Sequence, residues 1–137
     1  MLKLNFTGNI ENLNDCLFEL QKSMSFSIST EGTRISVKKD QIKGLEVSGA
    51  DGKYSITYGT IPEFCRALAI IIHKIKNNEM GFSLKEKRKI ERSGIMADVS
   101  RNAVLKVETT KDIIQRIACM GMNTFMLDMD DVYKIDG

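Results

Sequence analysis

Gly94-Ile95-Met96-Ala97-Asp98-Val99-Ser100-Arg101-Asn102 and, after a helical interval, Asn123-Thr124-Phe125-Met126-Leu127-Asp128 decide the fold of this chain. The first is a short apolar run that turns polar at Asp98. The second is a buried-type strand that runs into Asp128, Asp130 and Asp131. Between them, Thr109 to Met122 carries its apolar residues at helical spacing. Strand, helix and strand in this order predict a parallel βαβ unit with polar groups at the carboxyl ends of both strands. Two parallel strands do not make a stable sheet alone, because parallel sheets are buried on both faces. The expectation is therefore the opening of a larger enzyme, cut before most of its active site. A crossover this short belongs to a Rossmann-like sheet or a (β/α)₈ barrel, and both bind ligands at the carboxyl ends of their strands.

Working outward, the residues before Gly81 predict a compact α+β unit. Ile10, Leu13, Leu17, Leu20 and Met24 recur at three- and four-residue steps behind Asn9, a candidate helix cap. Phe26-Ser27-Ile28-Ser29 and Arg34-Ile35-Ser36-Val37 alternate on either side of a Glu31-Gly32 turn. Leu45-Glu46-Val47 and Tyr54-Ser55-Ile56-Thr57-Tyr58 flank Asp51-Gly52, a strong hairpin signal. Thr60-Ile61-Pro62-Glu63 opens a second helix with a capping box and an early proline; Phe64, Leu68, Ile71, Ile72 and Ile75 give it an apolar face. The predicted fold class is thus α+β: a two-layer antiparallel sheet with helices, followed by the truncated βαβ start of a barrel. The charged stretch Phe82 to Arg92 places the boundary, giving a non-catalytic domain over residues 1–90 and the barrel start over 91–137.

Composition narrows the function classes. The 137 residues are 42% hydrophobic and 28% charged with a net charge of +2, the balance of an ordinary globular protein. Nothing here favours nucleic acid or an anionic membrane as partner, since the one basic concentration, Lys85 to Arg92, is interrupted by glutamates and lacks aromatics. It reads as a solvated edge or linker. Met1 leads straight into a strand-like segment without a signal-peptide core, and Ala67 to Ile72 is too short to span a bilayer, so a cytoplasmic location is expected. Cys16, Cys65 and Cys119 are widely spaced, each in a predicted helix, and read as buried free thiols. His73 carries no assigned chemistry. No metal or cofactor is expected.

With these residues in view, the segment Ser93 to Val104, a helix ending Met120-Gly121-Met122-Asn123, and Phe125-Met126-Leu127 with Asp130-Asp131-Val132-Tyr133 resemble the start of the catalytic barrel of family 20 glycoside hydrolases, the β-N-acetylhexosaminidases. The resemblance covers about the last third of the chain; the rest is similar only in architecture and position to the domain that precedes the barrel. It implies that Arg101 binds hydroxyls of the terminal sugar, a role suited to a guanidinium's fixed fork of donors. Asp131 belongs to the same pocket. Asp98, Ser100 and Asp130 stand behind them, with Asp98 and Ser100 holding the turn that orients Arg101. The family's catalytic Asp-Glu pair, on the fourth barrel strand, is absent, so the resemblance implies a parent that releases terminal N-acetylhexosamine with retention, by a substrate-assisted route, and an inactive fragment. Asp128 departs from the aromatic or histidine usual at its place, Asp130 from the usual Glu, and Ala97 from a bulkier apolar residue, which leaves the exact sugar open.

Two other readings compete. Asp128 and Asp130 after an apolar strand fit the short Asp-x-Asp pattern of haloacid-dehalogenase-like, Mg²⁺-dependent phosphatases, a pattern that leaves the Asp98 to Arg101 segment unexplained. Alternatively the acidic residues form a solvated loop on a non-catalytic interaction module. On any reading the exposed strands of an isolated fragment invite self-association.

Overall fold

The computed structural model of the chain describes residues 1–100 and 104–129. Its first part is a six-stranded sheet under two helices. Strands β1 (Leu2–Gly8), β2 (Phe26–Ile28), β3 (Thr33–Lys39), β4 (Gly44–Ala50), β5 (Lys53–Tyr58) and β6 (Phe82–Lys87) lie in the order β2-β1-β3-β5-β4-β6. Helices α1 (Asn14–Met24) and α2 (Ile61–Lys76) cover one face. The alternation of each strand sends its apolar residues to that face: Val37, Ile56 and Val47 are register partners across three strands, and all are buried. Against them pack Leu13, Leu17 and Leu20 from the first helical segment and Phe64, Leu68 and Ile71 from α2. Each such side chain contributes about 1.5–3 kcal/mol on burial. Ring pairs add to the packing: Phe6 against Phe26 at 6.2 Å between neighbouring strands, and Tyr58 against Phe64 at 5.4 Å between sheet and α2.

The α+β class holds, but the sheet is mixed where an antiparallel one was expected. β1 runs parallel to both β2 and β3, and β3 parallel to β5; only β4 pairs antiparallel, with β5 and β6. The reason lies at Glu31-Gly32. That turn does not reverse the chain: the segment between β2 and β3 crosses β1, so that both strands keep the same direction on opposite sides of it. A Cβ on Gly32 would lie 2.5 Å from the carbonyl carbon of Lys3. The Asp51-Gly52 hairpin is present as expected, with φ of 50° and 72°.

Two further expectations change. Asn9 does not cap α1; a 3₁₀ turn, Glu11–Leu13, intervenes, and the Asn9 side chain instead accepts from the Lys39 amide at 3.2 Å. Phe82 to Lys87 is the edge strand β6, paired with β4. Its inner positions are Phe82, Leu84 and Glu86, and Glu86 accepts from Arg66 of α2 at 3.1 and 3.3 Å.

The second part is the expected βαβ unit: β7 (Gly94–Asp98), α3 (Val107–Cys119) and β8 (Thr124–Asp128), with β7 and β8 parallel. Helix α3 rests on α2 and touches α1. Ile117 is its buried residue, and Gln115 donates to Glu19 of α1 at 3.2 Å. Gly121, at φ +81°, ends α3 with its amide on the Ala118 carbonyl and that of Met122 on Ile117, and faces the stem of Arg66. Among the described residues no helix is long and apolar enough to cross a membrane.

Candidate functional site

The βαβ unit is fixed first at the amino-terminal end of its strands. Asn123 accepts from the Ser93 amide at 3.0 Å through Oδ1 and donates to the Glu91 carbonyl at 2.7 Å through Nδ2, while its own amide donates to Ser93. One side chain thus sets the start of both strands. Gly94 permits their close approach, since a Cβ there would meet the Thr124 carbonyl oxygen at 1.8 Å.

From that anchor the register runs without a slip to Asp98 opposite Asp128. The Val99 amide donates to the Asp128 carbonyl at 2.9 Å, carrying the ladder one step past the strand. Asp98 then turns the chain: its Oδ1 accepts from the Ser100 amide at 2.8 Å and from the Ser100 hydroxyl at 2.5 Å. This is an aspartate turn of the kind that redirects a backbone two residues on. The carboxylate is thus engaged in shaping the loop through Ser100. Arg101, Asp130 and Asp131 lie outside the described residues. Asp128 is exposed at the end of β8.

Within the described residues the strand ends bring together two aspartates and a serine. No group of three metal-ligating side chains occurs among them. Two surface grooves lie elsewhere: one of about 370 Å³ is lined by Asn9, Lys39, Asp40 and Tyr58, and one of about 890 Å³ runs between α1 and α3 past Phe18 and Gln115. Sequence reasoning assigned Asn123 no role beyond opening the second strand, which starts one residue later, at Thr124. The meeting of Cys16 and Cys65, whose sulfurs lie 3.3 Å apart, had no signal in the sequence at all.

No protein-family profile matches this chain, and no curated protein matches it. Among solved structures it is similar to a glycoside hydrolase family 20 exo-β-N-acetylglucosaminidase from Vibrio harveyi, determined in complex with N-acetylglucosamine. The TM-score is 0.69 at 20% identity, over 93% of this chain and 22% of that one. An inactive mutant of that enzyme matches similarly, with a TM-score of 0.68 at 20% identity over 91% and 21% of the two chains. The likeness is one of fold, and this chain spans about a fifth of the enzyme's length.

Proposed function

We propose that this chain is the opening part of a family 20 β-N-acetylhexosaminidase: a supporting α+β layer, then the first strand, helix and strand of the catalytic barrel. The observation that carries the reading is the parallel β7-α3-β8 unit, seated on α2, with the Asp98-Ser100 turn at the carboxyl end of its first strand. The shared fold with an exo-β-N-acetylglucosaminidase supports it. In this reading the turn delivers Arg101 to the pocket mouth, where its guanidinium donates to vicinal hydroxyls of a terminal N-acetylhexosamine. Asp131 accepts from the same sugar, with Asp130 behind it. The adjacent Asp-Glu pair that protonates the leaving oxygen and orients the acetamido group belongs to a later strand, so this polypeptide alone binds weakly and does not hydrolyse.

The test is a polypeptide extended through a full barrel, assayed on a chromogenic N-acetylglucosaminide and on a phosphomonoester. Hydrolysis of the glycoside, with an Arg101→Ala variant losing at least about 2 kcal/mol of transition-state stabilisation, is expected. Cleavage of the phosphoester alone, abolished by Asp128→Asn, would instead favour the dehalogenase-like reading.

A further inference from the structure

Three helices each carry a cysteine, and the fold brings them to one junction. Cys16 lies in the first turn of α1, Cys65 in the second turn of α2 and Cys119 at the end of α3. Cys65 is buried in the core, whereas Cys16 and Cys119 are half-buried and pack at its margin. The Cys16 and Cys65 sulfurs lie 3.3 Å apart in hydrogen-bond contact. A disulfide holds its sulfurs about 2.05 Å apart. The sulfurs therefore need to close by little more than an ångström. Cys16 is half-buried and the more open of the two to a small oxidant, while Cys65 is enclosed in the core.

We propose that Cys16 and Cys65 are a redox-responsive pair that a peroxide closes into a disulfide, tying α1 to α2 across the helical layer. The Cys16 thiolate attacks one peroxide oxygen; the O–O bond breaks, the departing hydroxide takes up a proton as water, and Cys16 becomes a sulfenic acid. The Cys65 sulfur then attacks the Cys16 sulfur, the S–O bond breaks, and the second hydroxide leaves as water with the Cys65 proton. Two thiols and one hydrogen peroxide yield one disulfide and two waters. The roles follow from the environment. The hydrogen bond shared with Cys65 holds the Cys16 thiol below the usual thiol value, and that same bond, with burial, pushes Cys65 up. Burial also raises Cys119. Half-buried Cys16 is the attacking sulfur, and Cys65, enclosed in the core, the resolving one. The closed bridge encloses β2 through β5 and fixes the helix whose Glu19 meets α3.

The test is to treat the 137-residue chain with stoichiometric hydrogen peroxide, alkylate the remaining thiols in denaturant, and digest without reductant. The expected result is a linked peptide pair containing Cys16 and Cys65, with a mass loss of two hydrogens, reversed by dithiothreitol and accompanied by a higher melting temperature. The linkage persists in Cys119→Ala and is lost in Cys16→Ala. Recovery of Cys65 as an alkylated thiol while Cys16 advances to the sulfinic acid, or a link from Cys119 to either partner in place of the pair, overturns the proposal. The wild-type peptide map decides between these outcomes even where a variant fails to fold.

Discussion

Gly32 has no side chain because the backbone of another strand occupies the space. The link from β2 to β3 crosses β1 there, and a Cβ at residue 32 would approach Lys3 and Leu4 backbone atoms to 2.5–2.6 Å. Main chain in the middle of a sheet cannot retreat as a flexible side chain can. Gly32→Ala is therefore expected to cost about 1–3 kcal/mol, read as a lower urea midpoint at unchanged slope. Gly81→Ala is the control, since nothing lies within 4 Å of the added methyl; equal midpoints for the two variants would refute the crossing argument. Asp40 shows the electrostatic counterpart at the surface. It accepts from Lys38 Nζ at 2.7 Å and from the Gln41 amide at 2.8 Å, and these hydrogen bonds hold its carboxyl below the ordinary range. The sign follows from linkage: the stabilisation is present above the unfolded value of about 4 and is lost as pH falls through the depressed folded value. Because the pair is exposed the gain is small, and the direct measurement is the Asp40 carboxyl titration by NMR. Lys38→Met should move its midpoint upward.

At the scale of elements, helix α2 owes its start to a few adjacent residues. Glu63 accepts from the Thr60 amide at 2.7 Å and the Gly59 amide at 3.2 Å, is only 5% exposed, and meets Arg88 at 3.5 Å through its other oxygen. Thr60→Ala should cost about 1 kcal/mol, the usual value of a lost cap. Glu63→Ala should cost more, about 1–3 kcal/mol, since it strands two amide donors and leaves Arg88 without this partner. Thermal melts that rank the two variants the other way would contradict this assignment. This cap was legible in the sequence because its chemistry spans four consecutive residues, as was the Asp51-Gly52 hairpin. Strand direction was not legible, because alternation looks the same whichever way a strand runs, and Glu31-Gly32 suits a crossing as well as a reversal. β6 stayed hidden because only Phe82 and Leu84 mark its inner face, the third place being taken by Glu86. In the site, the polar turn at Asp98 and Ser100 could be read locally, whereas the strand lock at Asn123 depends on residues some thirty positions apart in sequence. Asn123→Ala should leave the six-stranded sheet intact but speed hydrogen exchange selectively in β7 and β8. Uniform loss of protection across both sheets would show instead that the two parts unfold as one.

The whole molecule joins a well-covered sheet to a sparsely covered one. The six-stranded sheet buries its inner face under α1 and α2, and Arg66 links β6 to the end of α3. β7 and β8, by contrast, leave Met96 65% and Met126 53% exposed, and these two are register partners, so they form one apolar row. Ile95, Leu127 and Met129 add to the exposed surface. Such a pair of parallel strands, with edges that no other strand pairs among the described residues and an apolar face in water, is the arrangement that further barrel strands would cover in the proposed parent. In this polypeptide a second copy offers the nearest substitute. The expectation is a concentration-dependent dimer or larger species in sedimentation velocity, driven by edge pairing and by burial of the methionine row. Met96→Lys with Met126→Lys places like charges side by side across the register, where they oppose both strand stacking and association. That double variant should sediment more nearly as a monomer while its circular dichroism stays that of the parent chain, because the six-stranded core does not depend on the row. If the unmodified chain remains monomeric at all concentrations with β7 and β8 slow to exchange, the two strands are sufficient by themselves, and the need for a completing barrel loses its physical basis.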